Sequence, residues 1–179
     1  MRVGVKAFAS ILLFGAAASA AETPAAPDIA EQRTRIAALS FLAGDWEGSG
    51  WIMTGPGQRF EFKQTEEIRP MLGGGILTIH GTGRAPDAAK GAPPSFEAFA
   101  IISWDDVADR YRFRSYARGY VGDYDAALEG DNVLVWRAPS IEYRITVDGD
   151  RWFETGHRTL ADGKKVQFFE MTVTRQAAD

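Results

Sequence analysis

From Ile141 to Val147 the chain reads Ile-Glu-Tyr-Arg-Ile-Thr-Val, apolar at odd positions and polar at even ones. A strand with that period turns one face to an interior and the other to water. The pattern returns near the C-terminus, where Phe169, Met171 and Val173 alternate with Glu170, Thr172 and Thr174. Other alternating or aromatic-rich segments cover 59–68, 75–83, 96–104, 110–117, 121–128, 132–138 and 151–159, with the last running over 166–175. Between them lie Gly55-Pro56-Gly57, Gly73-Gly74-Gly75, Glu129-Gly130-Asp131, Asp148-Gly149-Asp150 and Asp162-Gly163, all strong turn signals. Short, regularly spaced strands joined by hairpins predict an antiparallel sandwich or barrel. Closing such a sheet removes its edges. A barrel of about ten strands is wider than the roughly eight whose own side chains fill the interior, so a ligand-sized cavity is expected. Residues 84–95, rich in Ala, Pro and Gly, predict a flexible loop at one barrel mouth.

One segment has a different period. Pro27-Asp28-Ile29-Ala30-Glu31 reads as a helix start, with Asp28 as the cap and Glu31 three residues on completing a capping-box-like pair. Ile29, Ile36 and Leu39 then share an apolar face through about residue 42. This helix is expected to plug or flank one end of the barrel.

The first strand opens at Leu42-Ala43-Gly44-Asp45-Trp46-Glu47-Gly48-Ser49-Gly50-Trp51. Glycines two apart clear one pleat face around Trp46, which suits a strand that bends or passes close under another segment. The series Gly44-x-Trp46-x-Gly48-x-Gly50, with the preceding Leu39-x-x-Leu42 and the later Met71-Leu72-Gly73-Gly74-Gly75, resembles the first-strand signature of calycin barrels. It is especially similar to nitrobindin-like proteins and to a secreted bacterial lipocalin-like family of unknown function. The resemblance spans roughly residues 36–176 and implies an all-β, up-and-down antiparallel barrel of about ten strands with a short N-terminal helix. Nitrobindin-like proteins hold haem through a histidine on a late strand, so the resemblance makes His157 a candidate axial ligand. Two departures stand against that transfer: the strand over 166–175 carries no histidine, and Ile52 stands where nitrobindins extend the glycine pattern.

Composition narrows the class. The chain has 179 residues, suited to one domain, and no cysteine, which removes disulfides, thiolate metal sites and a cysteine nucleophile. Arg2 and Lys6 precede an apolar run over 7–17 and the small residues Ala18-Ser19-Ala20, so residues 1–20 read as a signal peptide. The run is too short for a comfortable membrane span, so no stable membrane insertion is expected after cleavage. Residues 21–27 form a loose leader, and 28–179 form the barrel domain, periplasmic or secreted. Without residues 1–20 the chain carries 18 basic and 24 acidic residues, net −6, which disfavours phosphate backbones and makes nucleic acid an unexpected partner.

Candidate chemistry is sparse. His80 and His157 are the chain's two histidines, and neither has zinc-motif spacing. Arg110, Arg112 and Arg114 alternate with Tyr111 and Phe113. The strand period puts the rings inward and the arginines in water near Asp105, Asp106 and Asp109. The reverse parity would line the cavity with cations for a carboxylate or phosphate. Glu66, Glu67, Glu154 and Glu170 have the chemistry of acid and base groups, but the pattern does not say which approach each other. No nucleophile elbow, phosphate-binding glycine loop or His-Glu-x-x-His motif occurs.

The resulting expectation is an exported barrel that binds a small, largely apolar molecule without catalysis and without a metal or resident cofactor. Its expected wall is Phe62, Tyr111, Phe113, Tyr143, Ile145, Phe169 and Met171, with His157 as a polar contact. Two alternatives remain: haem binding or catalysis in the same cavity, and a structural or partner-binding envelope protein with a filled interior. The pattern specifies no oligomeric state.

Overall fold

The computed structural model describes residues 26–89 and 91–177; the signal peptide and most of the leader expected from the sequence lie outside them. Helix α1 (Ile29–Ala37) and a 3-10 turn (Ser40–Leu42) lead into ten strands. These are β1 (Gly44–Gly55), β2 (Gln58–Met71), β3 (Ile76–Arg84), β4 (Phe96–Asp105) and β5 (Arg110–Ala117), then β6 (Tyr120–Leu128), β7 (Val133–Ala138), β8 (Ile141–Asp148), β9 (Arg151–Thr159) and β10 (Lys165–Arg175). Each strand pairs antiparallel with its sequence neighbour, and β1 pairs with β10, so the sheet is a closed up-and-down barrel.

Closure depends on glycine at one crowded seam. A Cβ on Gly48 would lie 2.2 Å from the Thr172 carbonyl oxygen, and one on Gly50 would lie 2.4 Å from that of Glu170. Only residues without a side chain let β1 approach β10 that closely.

The helix is shorter than its apolar period suggests. Asp28 caps it by accepting from the Glu31 N–H at 3.0 Å, but Glu31 completes no capping box. Its carboxylate accepts instead from Arg35 Nε at 2.6 Å, and the Asp28 N–H donates to Asp106. Ile29 is 58% exposed; the buried residues are Ile36, and Leu39 and Leu42 beyond the helix. The chain must turn there to enter β1, so the apolar positions continue while the helix does not.

Helix α1 packs on β3 and β4 and closes one end of the barrel. Trp46 stands under this end and donates from Nε1 to the Leu42 carbonyl at 2.9 Å. Its ring meets Trp152 edge-on at 5.6 Å. The Arg175 guanidinium covers it at 4.1 Å and donates to the carbonyls of Phe41 and Ala43. The last strand is thereby fastened to the turn that precedes the first.

The β5 arginines face water, but their acidic partners differ from those expected. Arg110 and Arg112 pair with Asp125 at 2.8 and 3.3 Å, and Arg114 reaches Asp123 at 3.7 Å. Register explains this, since Arg112 and Arg114 stand opposite Asp125 and Asp123 on β6. Asp105 instead accepts from the Val107 and Ala108 N–H groups of its own turn, and Asp106 accepts from Gln32.

Arg175→Ala should remove the cover from Trp46 and two carbonyl partners together. Urea unfolding should show a loss of roughly 2–4 kcal/mol. A change below about 0.5 kcal/mol, the range of an ordinary surface substitution, would contradict the fastening role.

Candidate functional site: a ring-walled cavity with an acid floor

The half of the barrel away from α1 is hollow. A cavity of about 640 Å³ opens there, bounded deep in the barrel by Ile79, Trp152 and Glu154 and near the mouth by Thr54, Ser95, Phe96 and Arg118. Its two sides differ in side-chain size. Neighbouring strands β3, β4 and β5 present Gly81, Gly83, Ala98, Ala100, Ser115 and Ala117. The rest of the wall, from Phe113 on β5 round to Phe62 on β2, is largely aromatic. Phe113 stacks on Trp136 at 4.9 Å, and Trp136 stacks on Tyr143 at 4.3 Å. Tyr143 meets Phe169 edge-on at 5.4 Å, and Phe169 lies 5.9 Å from Phe62.

Gly156 makes that row continuous. It stands opposite both Tyr143 and Phe169, and a Cβ there would come within 2.9 Å of each. Its bare backbone lets rings two strands apart touch.

The expected wall residues divide along the barrel axis. Phe62, Phe113, Tyr143, Ile145, Phe169 and Met171 all line the cavity. Tyr111 faces inward but sits one pleat repeat closer to the helix, where its hydroxyl donates to the Arg35 carbonyl at 2.7 Å. His157 does not line the cavity. On β9 it alternates with Glu154 and Gly156, and it stands between Glu142 and Gln167 on the neighbouring strands. His80 likewise lies outside the lining and bonds Glu97 at 2.8 Å. Neither histidine is therefore placed in this cavity as the axial ligand that the nitrobindin-like resemblance implies for haem.

Sequence reasoning left Trp136, Gln64 and the Glu66–Glu154 pair unassigned. On β2 the inward positions run Phe62, Gln64, Glu66 and Ile68, so an amide and an acid interrupt an apolar face. On β9 the inward run is Trp152, Glu154 and Gly156. Both acids line the cavity and are buried, with exposures of 9% for Glu66 and 8% for Glu154. Gln64 Nε2 donates to Glu66 Oε1 at 2.8 Å. Room for this pair comes from β3: a Cβ on Gly81 would lie 2.7 Å from Glu66 Oε2, and one on Gly83 would lie 3.0 Å from Gln64 Oε1.

Burial sets the electrostatics. Desolvation pushes the Glu66 carboxyl up to about 7, opposed by the Gln64 hydrogen bond and the charge of His80. Desolvation also pushes Glu154 up to about 8, and the Glu66 charge adds to it. Trp152 Nε1 favours the charged form of Glu154 but makes no full hydrogen bond; it is the one buried side-chain nitrogen or oxygen among the described residues left without a partner. Tyr143 is raised as well, first by burial and then by Glu154. Glu67 is exposed, and Glu170 accepts from Trp51 and Gln167 outside the cavity. Among the described residues no group of three His, Asp or Glu side chains is placed to hold a metal ion.

No protein-family model matches the chain, and no curated protein matches it in sequence. Solved structures do. Rv2717c from M. tuberculosis superposes with a TM-score of 0.59 at 17% identity, over 84% of this chain and 100% of that one. The S-type phycobiliprotein lyase of Guillardia theta gives 0.54 at 13% identity, over 86% and 100%. A zebrafish ileal bile acid-binding protein complexed with cholic acid gives 0.44 at 15% identity, over 76% and 100%. At these identities the likeness is one of fold, and the fold is a lipocalin-like barrel.

The two carboxyls make a testable link to stability. Each holds its proton more tightly folded than unfolded, so its contribution is complete below about pH 4.5 and is lost as pH rises through about 7 for Glu66 and about 8 for Glu154. For Glu66 alone the loss is of order 3 kcal/mol. Urea unfolding at pH 5.5 and 8.5 should show a wild type less stable at the higher pH. In Glu66→Gln that difference should shrink by about a third or more, since the variant also removes the Glu66 charge that raises Glu154. Parallel profiles for the two proteins would contradict the buried assignment.

Proposed function

We propose that this protein is an exported binder of a small, largely apolar molecule with a flat ring system, held in the barrel and released unchanged. The observation that carries this reading is the cavity of about 640 Å³, with stacked rings along much of its wall and a stretch of Gly, Ala and Ser on β3 to β5. Ligand sites of this kind are concave, mostly apolar and a few hundred to about 1,000 Å³. A flat ligand ring extends the Phe113–Trp136–Tyr143 stack and leaves its edge against the small residues of β3 to β5.

An envelope protein with a solid interior would have no such hollow. Export is supported by the charged, apolar and small-residue succession over 1–20, with the periplasm as destination in a double-membraned bacterium. Binding of haem through His157 draws no support from a side chain that stands outside the cavity lining. The reading without catalysis draws on the absence of a nucleophile motif in the chain, and recovery of bound ligand with unchanged mass checks it directly.

The neutral probe N-phenyl-1-naphthylamine, which brightens in apolar surroundings, should bind the wild type in the micromolar range. Ala98→Trp places an indole in the hollow from the small-residue side. Probe affinity should fall at least tenfold in that variant, while the melting temperature holds or rises. Absence of probe uptake by the wild type would overturn the reading.

A further inference from the structure

The acid floor is out of keeping with a purely apolar ligand. Glu66 and Glu154 bring four carboxyl oxygens to the deep end of the cavity. Facing them are the Gln64 amide, already committed to Glu66 Oε1 at 2.8 Å, and the Trp152 indole N–H, which makes no full hydrogen bond. Acceptors therefore exceed donors in a buried place, where unpaired polar groups are costly. Among the described residues the cavity's one cationic lining residue is Arg118, in the β5–β6 turn at the mouth, with its guanidinium 5.3 Å from the Phe96 ring. Charge is thus arranged along the axis, positive at the rim and acidic at the floor.

An anionic group reaching the floor would meet two acids. A ligand without polar groups would cover those acids and offer their oxygens no donor. An ammonium group supplies three N–H donors and one positive charge. A carboxyl pair that keeps one proton carries one negative charge, so a single ammonium leaves the buried site neutral and its oxygens better satisfied.

We propose that the floor is a cation-selecting site, in which Glu66, Glu154 and Gln64 receive the ammonium group of a primary amine whose ring system lies along the aromatic wall. This rests on the small-molecule reading above and specifies the class of molecule. Few other groups act on the pair. Glu66 feels His80 and its own Gln64, Glu154 feels Glu66 and Trp152, and Tyr143 on β8 is coupled to Glu154. Arg158 and Tyr124 act on Tyr143, and Arg118 stays at the rim. Free of ligand, both carboxyls hold protons at mildly acid pH, and burial is the first cause in each. Amine binding then releases about one proton per ligand below pH 7, and affinity rises up to tenfold per pH unit in that range.

Three probes of one shape test this by isothermal titration calorimetry: 2-(1-naphthyl)ethylamine, 2-(1-naphthyl)ethanol and 1-naphthylacetate. At pH 7.5 the amine should bind at least tenfold tighter than the alcohol, and the acetate should bind weakest. The preference for the amine should shrink at least tenfold at pH 5.5. It should also shrink at least tenfold in Glu154→Gln and in Glu66→Gln, read within each variant as the ratio of amine to alcohol affinity, with retained uptake of N-phenyl-1-naphthylamine reporting an intact cavity. Alcohol binding with no preference for the amine overturns this proposal alone, as does a preference that survives both substitutions. If none of the three probes binds, this proposal and the reading beneath it both fall.

Discussion

The rest of the structure depends on the clamp that Arg175 places over Trp46. A ten-strand meander has no reason to close unless its first and last strands are held in register at some point along their length. Here the final residue of β10 lays its guanidinium on the ring that opens β1 and bonds the carbonyls of Phe41 and Ala43 just upstream. A cation over an indole contributes about 0.5–2 kcal/mol, and the hydrogen bonds to a charged donor add to it. The pairing that follows, from Trp46 with Arg175 to Ile52 with Phe169, is possible because Gly48 and Gly50 let the strands approach.

Once closed, the barrel is divided by side-chain size. Toward the helix, Leu39, Leu42, Ile68, Leu77, Ile102, Leu134 and Val173 pack beside the two edge-on tryptophans into a solid core. Toward the other end, three adjacent strands present Gly81, Gly83, Ala98, Ala100, Ser115 and Ala117 to the lumen, and the rings around the rest of the wall are too few to fill it. The hollow is thus the consequence of small residues on β3 to β5 as much as of strand number. The same glycines that empty it, Gly81 and Gly83, leave room for Glu66 and Gln64, so the void and its acid floor have one origin.

The strands were legible because the period of two survives in nearly all of them, and turn residues mark their ends. Facing was legible too: Phe62, Phe113, Tyr143, Ile145, Phe169 and Met171 all reach the cavity. Height along the axis was not, because alternation assigns a face and says nothing of level, which is why Tyr111 ends beneath α1 while Phe113 enters the hollow. Trp136 was hidden in Val133-Leu134-Val135-Trp136, an apolar run with no alternation to read. His157 could have been placed, since Trp152 and Gly156 share a parity that excludes it. Glu66 and Glu154 lie far apart in the chain, and only closure through β1 and β10 brings them to one floor.

The central claim is that two glutamic acids lie buried together at the floor of an otherwise apolar hollow. Carbon-13 NMR of the protein labelled at the glutamate side-chain carboxyl reads each group's titration directly. The account predicts two signals with midpoints near 7 and 8, one lost in Glu66→Gln and the other in Glu154→Gln. Titration of every glutamate between about pH 4 and 5, the ordinary solvated range, would contradict it.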